Sequence, residues 1–280
     1  MSPSALVFGE ALIDRFPDRS VVAGAPLHVA AHLLHLGWAP SVVSRIGDDE
    51  DGARIRDTLR RQGVDDSLLQ VDTTLPTGTV DITLHENGGH TFTIHRPVAW
   101  DAIEAPHPMP QADVLYFGSL ALRDARSRSA LERIESRFEG LRVVDINLRP
   151  PDDGADAVRF AVTHADVLKL SDEEVPAVAT RLGLDTGPAA LLSIGPRWVC
   201  ITRGARGASL HAADGRSWER AGQDVEVVDT VGAGDAFCAG LIDALVRGLA
   251  PAEVLERAAA RAAAVVQQRG GMPPIPGTFG

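Results

Sequence analysis

The sequence predicts an α/β fold: a three-layer α/β/α sandwich around a mostly parallel sheet, carrying a small β-sheet lid. Three observations carry this. Short apolar runs without internal alternation recur between longer helical patterns, as expected of strands buried on both faces and joined by helical crossovers. Two segments, 79–85 and 90–95, instead alternate apolar and polar residues, the mark of a ribbon with one covered face. Finally, a glycine-rich turn at Gly232-Ala-Gly234 opens a helical pattern late in the chain, where backbone N–H groups can converge on an anion.

Taken in chain order, the first strand is Ala5–Phe8, followed by Leu12–Phe16 and Ser20–Ala23, which can pair beside the ribbon. A helix over 26–36 leads to the strand Ser41–Ser44 and a helix over 50–62. The ribbon turns through Glu86-Asn-Gly-Gly89, where Asn-Gly suits the positive φ of a tight hairpin. Strands Val114–Phe117, Arg142–Ile146, Asp166–Lys169 and Trp198–Thr202 then alternate with helices over 126–139, 154–164 and 172–182. Two helices, 232–248 and 251–268, close the chain before the Pro/Gly-rich stretch Gly270–Gly277. The expected organisation is one domain over 1–280, with lid strands inserted at about 11–23 and 77–97. A small sheet is unstable alone in water, so it covers either its own sandwich or a second copy in a homodimer.

The 280 residues are 45% hydrophobic and 23% charged, enough for a core without disulfides. The only cysteines, Cys200 and Cys238, form neither a disulfide framework nor a cysteine zinc site. A formal charge of −11 argues against nucleic acid as a partner, because that affinity rests on cationic neutralisation. No apolar run reaches the ~18 residues of a membrane span, and the first residues lack a signal-peptide pattern. A cytoplasmic enzyme is expected. Lys169 is the only lysine among 27 basic residues and has no glycine beside it, which excludes a Walker A loop. No Gly-x-Ser-x-Gly elbow supplies a hydrolase nucleophile.

Asp235 is the unusual residue, a carboxylate on the first turn of a helix whose start suits a phosphate. It reads either as an acid satisfying the helix dipole or as a general base taking a proton from an attacking alcohol. Position six of a dinucleotide fingerprint would be Phe237 rather than glycine, which weakens that reading. His28, His32 and His35 share one helical face, but no HExxH glutamate or nearby cysteine makes them a metal site.

Asp229-Thr-Val-Gly-Ala-Gly-Asp-Ala-Phe237 resembles the C-terminal signature of the ribokinase-like (PfkB) carbohydrate kinases. Gly9-Glu-Ala-Leu-Ile-Asp14, Ala23-Gly-Ala-Pro26, Ile46–Gly52, Asp145–Arg149, Lys169–Glu174, Ile201–Gly207 and Arg269–Pro274 follow in the family's order, most like its fructokinase branch. The resemblance implies Asp235 as base, with Gly232, Ala233 and Gly234 offering amides to the transferring phosphoryl group. Asp14, Gly24, His28 and Arg96 would meet the sugar, with Asp14 accepting from two adjacent hydroxyls. Arg96 also reads as an ordinary surface arginine. Arg149, Lys169, Thr202, Gly204, Gly207 and Gly234 would face the nucleotide. Glu174 would orient magnesium-bound water, and Asp229 with the Val231 carbonyl would hold a monovalent cation.

The implied cofactors are ATP, magnesium and potassium, and the implied activity is phosphorylation of a sugar's primary hydroxyl. Other acceptors of the same family (2-keto-3-deoxygluconate, another sugar, a nucleoside) and a non-catalytic sugar- or nucleotide-binding relative remain open. Three positions depart from the pattern: Ala23 replaces one of a glycine pair, His28 an asparagine, and Ser171 an asparagine.

Overall fold

The computed structural model describes residues 2–84 and 90–272. The chain begins β1 (Ser4–Phe8), β2 (Leu12–Arg15), β3 (Ser20–Ala23), α1 (Ala25–His35), β4 (Ala39–Gly47), α2 (Glu50–Gln62) and β5 (Leu69–Asp72). It continues β6 (Gly78–Leu84), β7 (His90–Ile94), β8 (Val114–Gly118), α3 (Ala125–Glu135), β9 (Leu141–Asp145), α4 (Ala155–Thr163) and β10 (Val167–Ser171). Then come α5 (Glu174–Leu182), α6 (Pro188–Leu192), β11 (Trp198–Thr202), β12 (Ala208–Ala212), β13 (Ser217–Arg220), α7 (Ala233–Val246) and α8 (Pro251–Val266).

Among the described residues, nine strands form the large sheet in the order β13-β12-β11-β10-β9-β8-β1-β4-β5. From β5 to β11 every neighbour is parallel, whereas β12 and β13 add antiparallel. Side chains alternate across this sheet and build two cores. Val7, Val42, Tyr116, Val143 and Val167 point to the layer of α1, α2, α7 and α8. Leu6, Phe8, Leu115, Val144 and Leu168 point to that of α3, α4, α5 and α6. Both faces being covered is why these strands read as continuous apolar runs.

The second sheet has the order β3-β2-β6-β7. Its β2 pairs antiparallel with β3, setting Leu12 opposite Ala23, and parallel with β6. One face is apolar, through Leu12, Ala23, Val80 and Ile82. The sandwich and the smaller sheet are those expected from the sequence.

The differences lie at edges. The expected strand 41–44 extends over Ala39–Gly47, and the helix expected to 139 ends at Glu135. Three strands, β5, β12 and β13, have no counterpart in the sequence reading because each is four or five residues long and only partly apolar. The Glu86–Gly89 turn, and the Pro/Gly-rich stretch beyond Met272, lie outside the described residues.

Candidate active site

Parallel strands end together, and ligands of open α/β sheets bind outside those carboxyl ends. Here the ends of β1, β8, β9 and β10 meet the start of α7. Gly232 caps that helix at φ 76°, and an added Cβ would lie 2.4 Å from the Gly271 Cα. Only glycine fits a left-handed turn packed this closely. The Ala233 N–H turns back to the Thr230 carbonyl at 3.2 Å. Among the described residues the Gly234 and Asp235 N–H groups have no protein acceptor, leaving two donors at the positive end of the helix.

Asp235 lies in the same turn, and its Oδ2 is 2.8 Å from Nδ1 of His28 on α1. Burial works to raise its pKa. The hydrogen bond and charge of His28, then Lys169 and Arg149, more than offset this and hold the carboxyl below its ordinary value. Asp14 on β2 is partly buried, and that burial raises its pKa, while His28 and Arg149 oppose the shift. Gly24, at φ 124°, sits against the Glu10 carbonyl, 2.6 Å from where a Cβ would stand. The left-handed residue is thus Gly24, and Ala23 closes β3 without needing positive φ.

Behind the helix start, Lys169 Nζ donates to Asp145 Oδ2 at 2.6 Å, both side chains buried. Burial opposes the charge on Lys169, but Asp145 more than compensates and keeps the ammonium protonated. The carboxyl of Asp145 is itself pushed up to about 6 by burial. Lys169 Nζ lies 3.2 Å from where a Gly234 Cβ would be, so the ammonium backs the helix start.

The remaining residues singled out from the sequence are more scattered. Arg149 is exposed, and its guanidinium reaches back to the Leu148 carbonyl at 3.0 Å. Glu174 accepts from Leu148 N at 2.6 Å and from Ser171 N at 2.7 Å, tying two strand-end loops together. Ser171 returns a contact, its Oγ accepting from Glu174 N at 3.3 Å. Thr202 ends β11, and Gly204 and Gly207 bracket the short turn after it. Asp229 accepts from Val231 N and Gly270 N, both at 3.0 Å, which joins the α7 approach to the C-terminal segment. Arg96 is exposed, 3.9 Å from Asp152. His32 lies away from Asp235, its Nε2 donating to the Gly271 carbonyl at 3.0 Å and its Nδ1 meeting Arg261 at 3.3 Å. Burial lowers its pKa to about 4. His35 sits further along α1, its pKa also lowered by burial. Among the described residues no cluster could hold a metal through three His, Cys, Asp or Glu side chains.

Two residues escaped the sequence reading. Glu10, following β1, is buried with an unpartnered Oε2, and burial pushes its pKa up to about 7. It lines a small enclosed space with Pro26, Tyr116, Ser119, Asp145 and Arg149. An acid directly after a continuous apolar strand is a signal that could have found it. Arg123 is 1% exposed at its side chain and bonds Asp101 at 2.7 Å, Asp152 at 2.8 Å and the His95 carbonyl at 2.8 Å, over the Trp100 ring. Nothing local distinguishes it from the other arginines.

A doubly covered parallel sheet, with open helix-start amides beside a buried carboxylate, defines a phosphotransferase class of site, since amides suit phosphate and the carboxylate suits a hydroxyl. The chain belongs to the pfkB family of carbohydrate kinases, which matches residues 11–277, and with that family it is an ATP-dependent phosphotransferase. It is 33% identical over 263 residues to a fructokinase of Klebsiella pneumoniae, covering 88% of this chain and 85% of that one. Among solved structures it is similar to fructokinase from Vibrio cholerae O395 bound to fructose, ADP and calcium, with a TM-score of 0.83, 27% identity, and 98% and 96% of the chains covered. It is also similar to aminoimidazole riboside kinase from Salmonella enterica, complexed with its riboside and an ATP analogue, at TM-score 0.82, 28% identity, and 98% and 96% coverage. No helix among the described residues is long and apolar enough to cross a membrane.

Proposed function

We propose that this kinase moves the γ-phosphoryl group of ATP to the primary hydroxyl of a small sugar, with fructose as the acceptor, in the cytoplasm. The observation that carries the reading is the Asp235 carboxylate, held beside two open amides at the start of α7. Asp14 accepts hydrogen bonds from the sugar hydroxyls, with Gly24, His28 and Arg96 around them. Asp235 receives the proton of the attacking hydroxyl, while the helix start from Gly232 to Gly234 takes up charge developing on the phosphoryl oxygens. Lys169 keeps that helix start electropositive from behind, and Arg149, Thr202, Gly204 and Gly207 flank the nucleotide.

Magnesium, when bound, neutralises phosphate charge. Each carboxylate oxygen of Glu174 accepts one backbone hydrogen bond and keeps a lone pair for metal-bound water. Asp229, likewise accepting once at each oxygen, fits a potassium ion shared with the Val231 carbonyl. Closure of the small sheet excludes water, which would otherwise compete as acceptor. On its apolar face Val21 and Phe92 are 43% and 53% exposed, and a second copy of the chain would cover them.

The test is ADP release across ketoses, aldoses, sugar acids and nucleosides, with magnesium and potassium present. Asp235→Asn is expected to lower kcat on the best acceptor by about 10²- to 10⁴-fold, the worth of a positioned base; unchanged turnover rejects the role. Asp14→Ala is expected to raise the acceptor's KM far more than that of ATP, and equal effects reject its sugar contact. A riboside as best acceptor would favour a second reading, for which the similarity to the riboside kinase speaks.

A further inference from the structure

His28 lies on the first turn of α1, and Asp235 on the first turn of α7, 207 residues later. Their side chains are 9% and 12% exposed. An ionised carboxylate only accepts hydrogen bonds, so the 2.8 Å contact places the hydrogen on His28 Nδ1 and the lone pair on Asp235 Oδ2.

The imidazole is also confined by the C-terminal segment. A Cβ built on Gly271 would stand 2.8 Å from its Cε1 and 2.9 Å from its Nδ1, so the C-terminal segment packs directly on the ring. That segment is fixed in turn, because the Gly271 carbonyl accepts from His32 and the Gly270 N–H donates to Asp229. His28 is therefore held by both the segment and the carboxylate. Asp235 Oδ1 has no hydrogen-bond partner among the described residues, so one oxygen of the carboxylate is engaged and the other is left open.

We infer that His28 is a positioning residue: through Nδ1–H it holds Oδ2 of Asp235 and so reserves Oδ1 for the hydroxyl that is phosphorylated. The inference rests on Asp235 being the base, and it gives His28, which borders the sugar, its main role through the carboxylate. Without the donor, the carboxylate can turn about its Cβ–Cγ bond, and the productive orientation becomes one of several. A hydrogen bond to a charged group of this kind is worth about 10- to 100-fold. The loss falls on kcat, because the bound sugar keeps its other contacts. Asparagine is the discriminating replacement. Its Nδ2 occupies the same branch position as Nδ1, two bonds from Cβ, and also donates, whereas leucine matches the bulk without a donor.

The experiment measures kcat and KM for the best acceptor at saturating ATP and magnesium, using the full chain and His28→Ala, His28→Leu and His28→Asn. Asp235→Asn is assayed in parallel. The expected result is a kcat lowered about 10- to 100-fold in the alanine and leucine variants, with acceptor KM within about threefold, and most of the kcat restored by asparagine. Unchanged kcat with a raised acceptor KM in His28→Ala would overturn the inference and make His28 a sugar contact. Equal losses in the leucine and asparagine variants, at unchanged thermal midpoints, would also overturn it, since the donor would then be irrelevant. If the His28 variants keep full kcat while Asp235→Asn loses it, the positioning role alone fails. If Asp235→Asn stays active, the base assignment itself fails and takes this inference with it.

Discussion

Replacing Glu10 by glutamine should change how the protein's stability depends on pH. The Glu10 carboxyl is fully enclosed behind the site, with Oε2 unpartnered, and its pKa rises from 4.5 to about 7 because burial penalises the charged form. The folded chain therefore keeps this proton over a range in which the unfolded chain has released it. Between pH 4.5 and about 7 the folded state binds more protons, so this group's contribution to stability falls as pH rises and levels off above pH 7. A shift from 4.5 to about 7 corresponds to about 3 kcal/mol, at about 1.4 kcal/mol per pH unit. Other groups titrate in the same window. Asp145 works in the same direction as Glu10, and His32, whose pKa is lowered to about 4, works in the opposite one. The difference between parent and Glu10→Gln removes both.

Glutamine keeps the shape and cannot ionise. Urea unfolding of the two proteins at pH 5 and pH 8 is the assay, with equal m-values as the check that the same surface unfolds. Relative to the parent, Glu10→Gln should gain about 2.5 kcal/mol on going from pH 5 to pH 8, the rest of the change falling below pH 5. A parent-minus-variant difference that stays flat across this range would refute the reasoning, because Glu10 would then ionise in the folded protein without cost.

Two further outcomes follow from packing. Arg123→Ala leaves the buried Asp101 carboxylate without its cation and should cost about 3–5 kcal/mol in denaturant unfolding, whereas Arg96→Ala, which removes an exposed side chain 3.9 Å from Asp152, should stay within about 1 kcal/mol. Gly232→Ala forces an L-residue into the left-handed region and drives its Cβ into Gly271; kcat should fall with it, and an alanine variant of parental activity would mean that this turn does not hold the amides in place.

The layered architecture was legible because burial on both faces leaves its trace residue by residue: Leu6, Val7 and Phe8 are all apolar although they serve opposite cores. The glycine turn and Asp235 were legible for a similar reason, since a helix start is built from adjacent residues. The edge strand β13 and its neighbour β12 were not, because four or five residues that mix polar with apolar side chains have too little pattern to stand above their surroundings.

What the tertiary structure alone decided is who faces whom. Asp235 and His28 meet across 207 residues, and neither neighbourhood in the sequence names the other. Glu10 looks like any acid at a strand end until β8 and β9 close over it, and Arg123 looks like any surface arginine until Trp100, Asp101 and Asp152 surround it. Local periodicity records how much of a residue is covered. The chemistry of a buried charge depends on which distant group does the covering, and chain folding alone settles that.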